Sequence, residues 1–139
     1  MLRGLSQSSG VRLRRSATTS MVSVGYDALY AIDARGRVRA CGKNDDGQLG
    51  TGDTTASLGV MRAVTGITNA VAVSAGQFCA ACVPADGNLY TWGNGEHGRL
   101  GHGGEENEHV PRRVAGLGPV AGVSCGAGWI ERRAGAHSG

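Results

Sequence analysis

Aromatic residues and proline are scarce in this sequence of 139 residues, which contains two Trp, three Tyr, one Phe and three Pro. No run of residues approaches the ~18 consecutive apolar residues of a membrane-spanning helix. Glycine occurs 25 times without a Gly-X-Y period, which excludes a collagen helix. The low proline content argues against a Pro/Gly-rich disordered chain, and glycine inside a helix costs ~1 kcal/mol relative to alanine. We therefore expect one turn-rich, all-β domain without a membrane span.

Acidic residues are absent from the first twenty positions, and the first acid is Asp27. Residues 1–20 hold four of the 14 basic residues, which leaves 10 basic against 11 acidic residues in the remainder. An arm that is rich in Arg and Ser and free of acid is typical of a mitochondrial transit peptide. The alternatives are a disordered basic tail and a nucleic-acid-binding arm, the latter disfavoured because no aromatic residues lie between the arginines. We expect mitochondrial localisation if the arm directs import, and cytoplasmic or nuclear localisation otherwise.

An internal repeat accounts for most of the glycines. Shifting the sequence by 51 positions places Gly25 on Gly76, Gly36 on Gly87 and Leu49 on Leu100, and a further shift of 50 carries Val73-Ser74 to Val123-Ser124. The chain therefore contains two full copies and the opening of a third. A period near 50 residues is typical of a propeller blade.

Short apolar runs alternate with glycine turns in each copy, and runs of this length between Gly, Asn and Asp predict short strands. Asp86-Gly87 separates two such runs and is a strong hairpin signal, because glycine accepts a positive φ at little cost. Arg35-Gly36 takes the same place in the first copy. The predicted strands are Met21–Val24, Leu29–Ile32 and Val38–Cys41 in the first copy, and Ala70–Ser74, Phe78–Val83 and Leu89–Trp92 in the second.

The two segments Cys41–Gly52 and Trp92–Gly103 resemble the repeat of the regulator of chromosome condensation family, whose pattern is W-G-x-N-x-x-G-Q-L-G-x-G. The resemblance covers residues 21–130, about two and a third repeats, and implies part of a seven-bladed β-propeller of short antiparallel strands. Cys41 stands where the family has Trp. We interpret the matching residues as structural: Gly42, Gly47, Leu49, Gly50, Trp92, Gly93, Gly98, Leu100 and Gly101.

The sequence divides into a basic arm at 1–20, propeller repeats at 21–130 and a tail at 131–139 without a further repeat signal. Blades bury their apolar faces on their neighbours, and at least three repeats are normally needed for stability. Three interpretations of so few blades stay open: a fragment of a longer propeller, a ring of several copies, or a chain that completes a partner's propeller. The end of the third copy inside a repeat favours a fragment. If the chain is complete, we expect self-association or complementation by further blades.

Three patterns that resemble chemical sites have simpler interpretations. Cys79-Ala-Ala-Cys82 is a C-x-x-C pair, but residues three apart in a strand point to opposite faces and cannot chelate one ion together. The glycines of 93–98 form a G-x-G-x-x-G pattern without the helix that a dinucleotide site requires. The histidines near Glu105 and Glu106 lie in a segment that we expect to be solvated. We therefore expect no metal, no cofactor and no catalytic residues.

The first functional hypothesis is a non-enzymatic scaffold that binds a protein partner, since binding residues concentrate on loops held by a rigid frame. The candidate loops are Thr51–Val60 and His102–Val110, and the acidic residues of the second are the candidate partner-binding residues: Glu105, Glu106 and Glu108. The family resemblance implies guanine-nucleotide exchange on a small GTPase as the alternative, although the family's exchange loops lie on blades outside these repeats. Chromatin or nucleic-acid association through the basic arm is the third hypothesis, and the few arginines make it the weakest.

Overall fold

The strands form meanders in which each strand pairs antiparallel with the next along the chain. A computed structural model describes residues 21–125 and 130–134, so the predicted import signal in residues 1–20 lies outside the described residues. The first sheet contains β1 Met21–Val24, β2 Ala28–Ile32, β3 Val38–Gly42 and β4 Ser57–Ala63. The second contains β5 Ala70–Ala75, β6 Cys79–Pro84, β7 Tyr90–Gly93 and β8 Glu108–Arg113, and a further pair is β9 Val120–Cys125 with β10 Ile130–Ala134. This arrangement confirms the all-β fold and the partial propeller, with two complete blades and half of a third.

The fourth strand of each blade was not predicted. Strand β4 begins within the segment 51–60 and β8 within the segment 102–110, both of which were expected to be loops. Most side chains of these outer strands are exposed, so their sequences lack the alternation of apolar and polar residues from which a strand is recognised. The predicted boundary between the propeller repeats and the tail, after residue 130, falls inside β10. Strand β10 pairs with β9 in the same register as β6 with β5.

The turn between β2 and β3 is held by the carboxylate of Asp33. Asp33 Oδ1 accepts hydrogen bonds from the backbone N–H groups of Arg35 and Arg37, and its other oxygen forms ion pairs with Arg37 and Arg39. Partial burial opposes ionisation of Asp33, but these backbone and guanidinium donors outweigh it and lower the pKa of the carboxyl. Gly36 supplies the left-handed conformation with φ 79°.

The main core lies between the two complete blades. Side chains of β2, β3 and the turn after β3 pack against side chains of β5, β6 and β7. Alternation along β6 divides its side chains between two interfaces, because successive strand residues point to opposite faces. Ala80 and Cys82 face the first blade, while Ala81 and Val83 join a second cluster that includes Val120 of β9.

Trp92 connects the second blade to the first. Its indole is fully buried, and its Nε1–H donates a 2.8 Å hydrogen bond to the backbone carbonyl of Gln48. The Tyr30 hydroxyl donates to the same carbonyl, and the two rings meet edge to face with centroids 6.2 Å apart. Burial raises the pKa of Tyr30, so its hydroxyl stays protonated and remains a donor. A Cβ on Gly50 would lie 2.9 Å from Trp92 Nε1, so this turn requires glycine.

Serine side chains connect the inner strands of neighbouring blades at each step of the repeat. The Ser23 hydroxyl on β1 accepts a 3.0 Å hydrogen bond from the backbone N–H of Ala75 on β5. The Ser74 hydroxyl on β5 accepts a 2.9 Å hydrogen bond from the backbone N–H of Cys125 on β9. The Val-Ser repeat found in the sequence therefore marks an inter-blade hydrogen bond.

Replacing Trp92 tests the packing between the blades. We expect Trp92→Ala to lower the free energy of unfolding by ~3–5 kcal/mol, because it removes a fully buried aromatic side chain. Trp92→Phe retains a ring and removes the hydrogen bond to Gln48, so its cost is about 1 kcal/mol plus a small packing loss. Urea unfolding followed by circular dichroism measures both changes. Truncation of the exposed Val71 to Ala is the control, and an equal effect of Trp92→Ala and Val71→Ala would contradict this account.

Candidate partner-binding surface

The long loops of both complete blades lie at the same end of the sheets. In a meander, the loops after the first and third strands leave from one end, and the loops after the second and fourth strands leave from the other. The segments 43–56 and 94–107 therefore share one face with the short turns 25–27 and 76–78, and we call this the loop face. Among the described residues, no helix is long and apolar enough to cross a membrane.

Asn44 holds the first long loop together. Its side chain is fully buried, and Nδ2 donates to the backbone carbonyls of Asp53 and Thr55 at 2.9 and 3.0 Å, while Oδ1 accepts from the backbone N–H of Leu49. The side-chain hydrogen bond from Arg62 to Asp53 holds the pKa of that carboxyl well below its usual range. Sequence reasoning missed Asn44, although it occupies the Asn position of the repeat pattern.

The second long loop achieves a similar closure with a different residue. Gly95 replaces the asparagine at the equivalent position, and its backbone N–H donates to Oδ1 of Asn107 at 2.9 Å. The Nδ2 group of Asn107 also reaches Asp46 of the first loop, at 3.4 Å. One asparagine thus closes its own loop and contacts the neighbouring blade.

Backbone contacts hold the first long loop against the start of β8, directly after the second long loop. The N–H of Gly52 donates to the His109 carbonyl at 2.9 Å. A Cβ on Gly47, whose φ is 79°, would lie 2.8 Å from the Cα of His109, so the close approach requires glycine. Because Asn107 follows Glu105 and Glu106 along the chain and contacts Asp46, acidic residues of the two loops lie in one region, which we call the acidic surface: Asp45, Asp46, Glu105 and Glu106.

The three predicted partner-binding glutamates have different environments. Glu105 and Glu106 are exposed on the loop. Glu108 begins β8, is half-buried and forms a 2.8 Å ion pair with Arg112, so its charge is already paired. The two long loops together carry six acidic residues, of which Asp53 is paired with Arg62, and two basic ones, Lys43 and Arg99. The loop face is therefore negatively charged.

An exposed aromatic side chain lies on the same face. Tyr26, in the turn after β1, is 70% exposed and meets Phe78 of the next blade edge to face, with ring centroids 6.0 Å apart. Its backbone N–H donates to the Gly76 carbonyl, so the turns of the two blades are joined. A shallow cavity of about 440 Å³ beside them is lined in part by Val24 and Gln77.

The cysteine pair is arranged as the strand geometry predicts. Cys82 lies in the core between the complete blades, and burial raises its pKa to about 12. Cys79 points to the opposite interface, where a hydrogen bond with Cys125 lowers the pKa of its thiol. The two sulfur atoms therefore lie on opposite sides of β6 and cannot form one chelating pair.

The other two patterns also have structural roles. The segment 93–98 contains one 3₁₀ turn, Glu96–Gly98, in place of the helix of a dinucleotide site. His102 Nε2 lies 2.9 Å from the Thr91 hydroxyl, whereas His109 packs on Gly47. In residues 21–125 and 130–134, no group of three His, Cys, Asp or Glu side chains is arranged to hold a metal ion.

The residues interpreted as structural lie in turns and at the ends of strands. Leu49 and Leu100 are buried in the turns that precede the outer strands, and Gly42 and Gly93 end the third strands with φ of 122° and 104°. Gly50, Gly98 and Gly101 have φ between 69° and 82°. None of these residues lies on the acidic surface.

Comparison with known proteins agrees with this architecture. Residues 86–129 match the family described as the regulator of chromosome condensation (RCC1) repeat, and residues 22–48 match a second profile of the same repeat. The E3 ubiquitin-protein ligase HERC2 of Homo sapiens is 40% identical over 126 residues, which are 86% of this chain and 3% of the relative. The ultraviolet-B receptor UVR8 of Arabidopsis thaliana is 34% identical over 132 residues, 94% of this chain and 28% of the receptor.

A solved structure has the same fold. Prp20p from Saccharomyces cerevisiae, described together with its binding to Gsp1p and histones, superimposes with a TM-score of 0.74 at 20% identity over 88% of this chain and 32% of that one. This chain thus spans at most about a third of each protein compared. The repeat matches, the register of the glycines and the meander of each blade agree, and the chain belongs to the RCC1 repeat family of β-propellers.

Proposed function

We propose that the chain is a non-enzymatic scaffold whose loop face binds a positively charged protein surface. The observation that carries the proposal is the contact between Asp46 of the first long loop and Asn107 of the second, which follows Glu105 and Glu106 in sequence. Complementary charge steers association and selects partners. The ion pair of Glu108 with Arg112 removes it from this set.

The loop face also offers an aromatic contact and a rigid frame. Tyrosine is enriched among residues that dominate binding energy at protein interfaces, and Tyr26 is exposed beside the loops. Asn44 is buried beneath the first loop with its amide fully engaged, so the loop is ordered before a partner arrives. Preorganisation of this kind lowers the entropic cost of binding.

The first test is removal of charge from the loop face. We expect the double variant Glu105→Gln/Glu106→Gln to capture the partner from cell extract about tenfold less well than the unmodified chain, because attraction to a basic surface is lost. Raising the salt concentration should weaken capture by the unmodified chain and have less effect on the variant. Asp86→Asn, in the exposed hairpin at the opposite end of the second sheet, is the control. Equal capture by the double variant and the control would contradict the proposal.

Guanine-nucleotide exchange on a small GTPase is the alternative function, supported by the family resemblance and by the description of Prp20p as a protein that binds Gsp1p. A scaffold that only binds should leave the release rate of labelled GDP from a small GTPase unchanged. A fluorescence assay of nucleotide release, with a known exchange factor as the positive control, measures this rate. Acceleration by the chain would replace the scaffold proposal with exchange activity.

Mitochondrial import through residues 1–20 is a separate proposal that rests on their composition. We expect a fluorescent protein fused behind residues 1–20 to accumulate in mitochondria. Replacing Arg3, Arg12, Arg14 and Arg15 by Gln should abolish this, since import signals of this class depend on basic residues. A diffuse distribution of the unmodified fusion would contradict import.

A further inference from the structure

Two cysteine thiols meet between the second blade and β9. Cys79 begins β6 and is only 2% exposed. Because side chains alternate along a strand, Cys79 shares its side of β6 with Ala81 and Val83, which belong to the second cluster. Cys125 ends β9 and packs against the same cluster. A hydrogen bond joins the two thiols, so they are in direct contact in the folded chain.

Ser74 fixes the position of Cys125 beside β5. The Ser74 hydroxyl accepts the backbone N–H of Cys125 at 2.9 Å, and the Cys125 thiol donates to the Ser74 carbonyl at 3.3 Å. Strand β6 is in turn paired with β5, with Ala81 opposite Ser74. The backbone and the side chain of Cys125 are therefore both held against the sheet that carries Cys79, and the two sulfur atoms meet without a change in the fold.

The equivalent interface between the first two blades has no such pair. Shifts of 51 and 50 positions relate Cys79 to Ala28 and Cys125 to Ala75. Both alanines pack against the main core, which lies between the first two blades. Since methyl groups suffice at these positions, the packing of one blade on the next does not require cysteine there. The two thiols instead give the second interface a reactive group that the first one lacks.

The two thiols differ in acidity. The hydrogen bond with Cys125 lowers the pKa of Cys79, which outweighs the opposing effect of burial, and the positive charge of Arg99 acts in the same direction as the hydrogen bond. The same contact, together with burial, raises the pKa of Cys125. The thiolate of the pair therefore forms at Cys79, while Cys125 keeps its proton. A thiolate in contact with a second thiol is suited to oxidation that ends in a disulfide.

The loop face gives a small oxidant a route to the pair. Cys125 lines the shallow cavity beside Tyr26, together with Gln77 of the turn that leads into Cys79. Cys125 is half-buried, and so is Ala75 at the equivalent position of the second blade. The second blade contacts the first sheet on one side and β9 on the other. Partial exposure at this position is therefore a property of the repeat.

We propose that Cys79 and Cys125 are the site of a reversible disulfide, formed with a peroxide as the oxidant, that joins the second blade to β9. The Cys79 thiolate attacks one peroxide oxygen, the O–O bond breaks, and Cys79 becomes a sulfenic acid while hydroxide leaves and takes up the proton that Cys79 released. The Cys125 sulfur then attacks Sγ of Cys79, and the S–O bond breaks. The second hydroxide takes up the proton of Cys125.

The two thiols are thereby oxidised to one disulfide, and hydrogen peroxide is reduced to water. A dithiol reductant restores both thiols by exchange through a mixed disulfide. The disulfide closes a loop from Cys79 to Cys125 and constrains the unfolded chain. This site uses no residue of the acidic surface and goes beyond the proposed binding function, so either proposal can fail without the other.

Oxidation of the folded chain tests the pair. The reduced full chain is treated with hydrogen peroxide, its remaining thiols are alkylated in urea, and linked peptides are identified by mass spectrometry without reduction. We expect the link between Cys79 and Cys125 to be at least about tenfold more abundant than all other pairings together, because thiols in contact have a high effective concentration. Dithiothreitol should remove it. Oxidised sulfur without a link, or links mainly to Cys41 or Cys82, would overturn the proposal.

Alanine variants locate the reaction. Cys79→Ala and Cys125→Ala introduce the residue that the first interface has at each equivalent position, so we expect both to fold, as circular dichroism checks, and to lose the link completely. Cys82→Ala is the matched control, because it removes a buried thiol on the opposite side of the same strand, and it should form the link in unchanged yield. Loss of the link in Cys82→Ala, or a link of equal abundance in the urea-unfolded chain, would contradict the proposed site.

The stability of the oxidised chain tests whether the disulfide joins the blade to β9. Oxidation should raise the urea midpoint of the unmodified chain, since the closed loop constrains its unfolded state. It should leave the midpoint of Cys125→Ala unchanged. An equal shift in both proteins, or no shift in the unmodified chain, would contradict the proposal.

Discussion

The contact between the Trp92 indole and the Gln48 carbonyl is the constraint on which the rest of the structure depends. Neither complete blade has a core of its own, since a single sheet buries its apolar faces on its neighbours. The Trp92 indole extends from the second blade to the first and fills the space where Gly50 has no side chain. Its N–H donates to the Gln48 carbonyl, which also accepts from the Tyr30 hydroxyl. The indole thereby joins the two complete blades.

The turn that receives the indole also determines the loop face. Leu49 is buried in the same core as the indole, and its backbone N–H donates to Oδ1 of Asn44, which closes the loop from 43 to 56. That loop in turn contacts His109 and Asn107 of the next blade. The acidic surface is thus fixed by the same turn that stabilises the core.

Much of the fold could be predicted because the repeat imposes it. Glycines at positive φ, the inner three strands of each blade and the opposite orientations of Cys79 and Cys82 follow from spacing and strand period. The outer strands could not be predicted, because exposed strands carry little apolar alternation. The acidic surface depends on contacts between residues about 60 positions apart, such as Asp46 and Asn107. The role of Asn44 was obscured because its counterpart in the second copy is Gly95.

Native-state hydrogen exchange in the Trp92→Phe variant tests most directly whether the indole joins the blades into one cooperative unit. Strand β3 belongs to the first sheet and Trp92 to the second, although both contribute to one core. If the two blades open as one unit, protection of the Val38 and Ala40 amides should fall by about the same factor as protection in β6. Unchanged protection of β3 alongside lowered protection in β6 would show that the blades fold independently and would contradict the account.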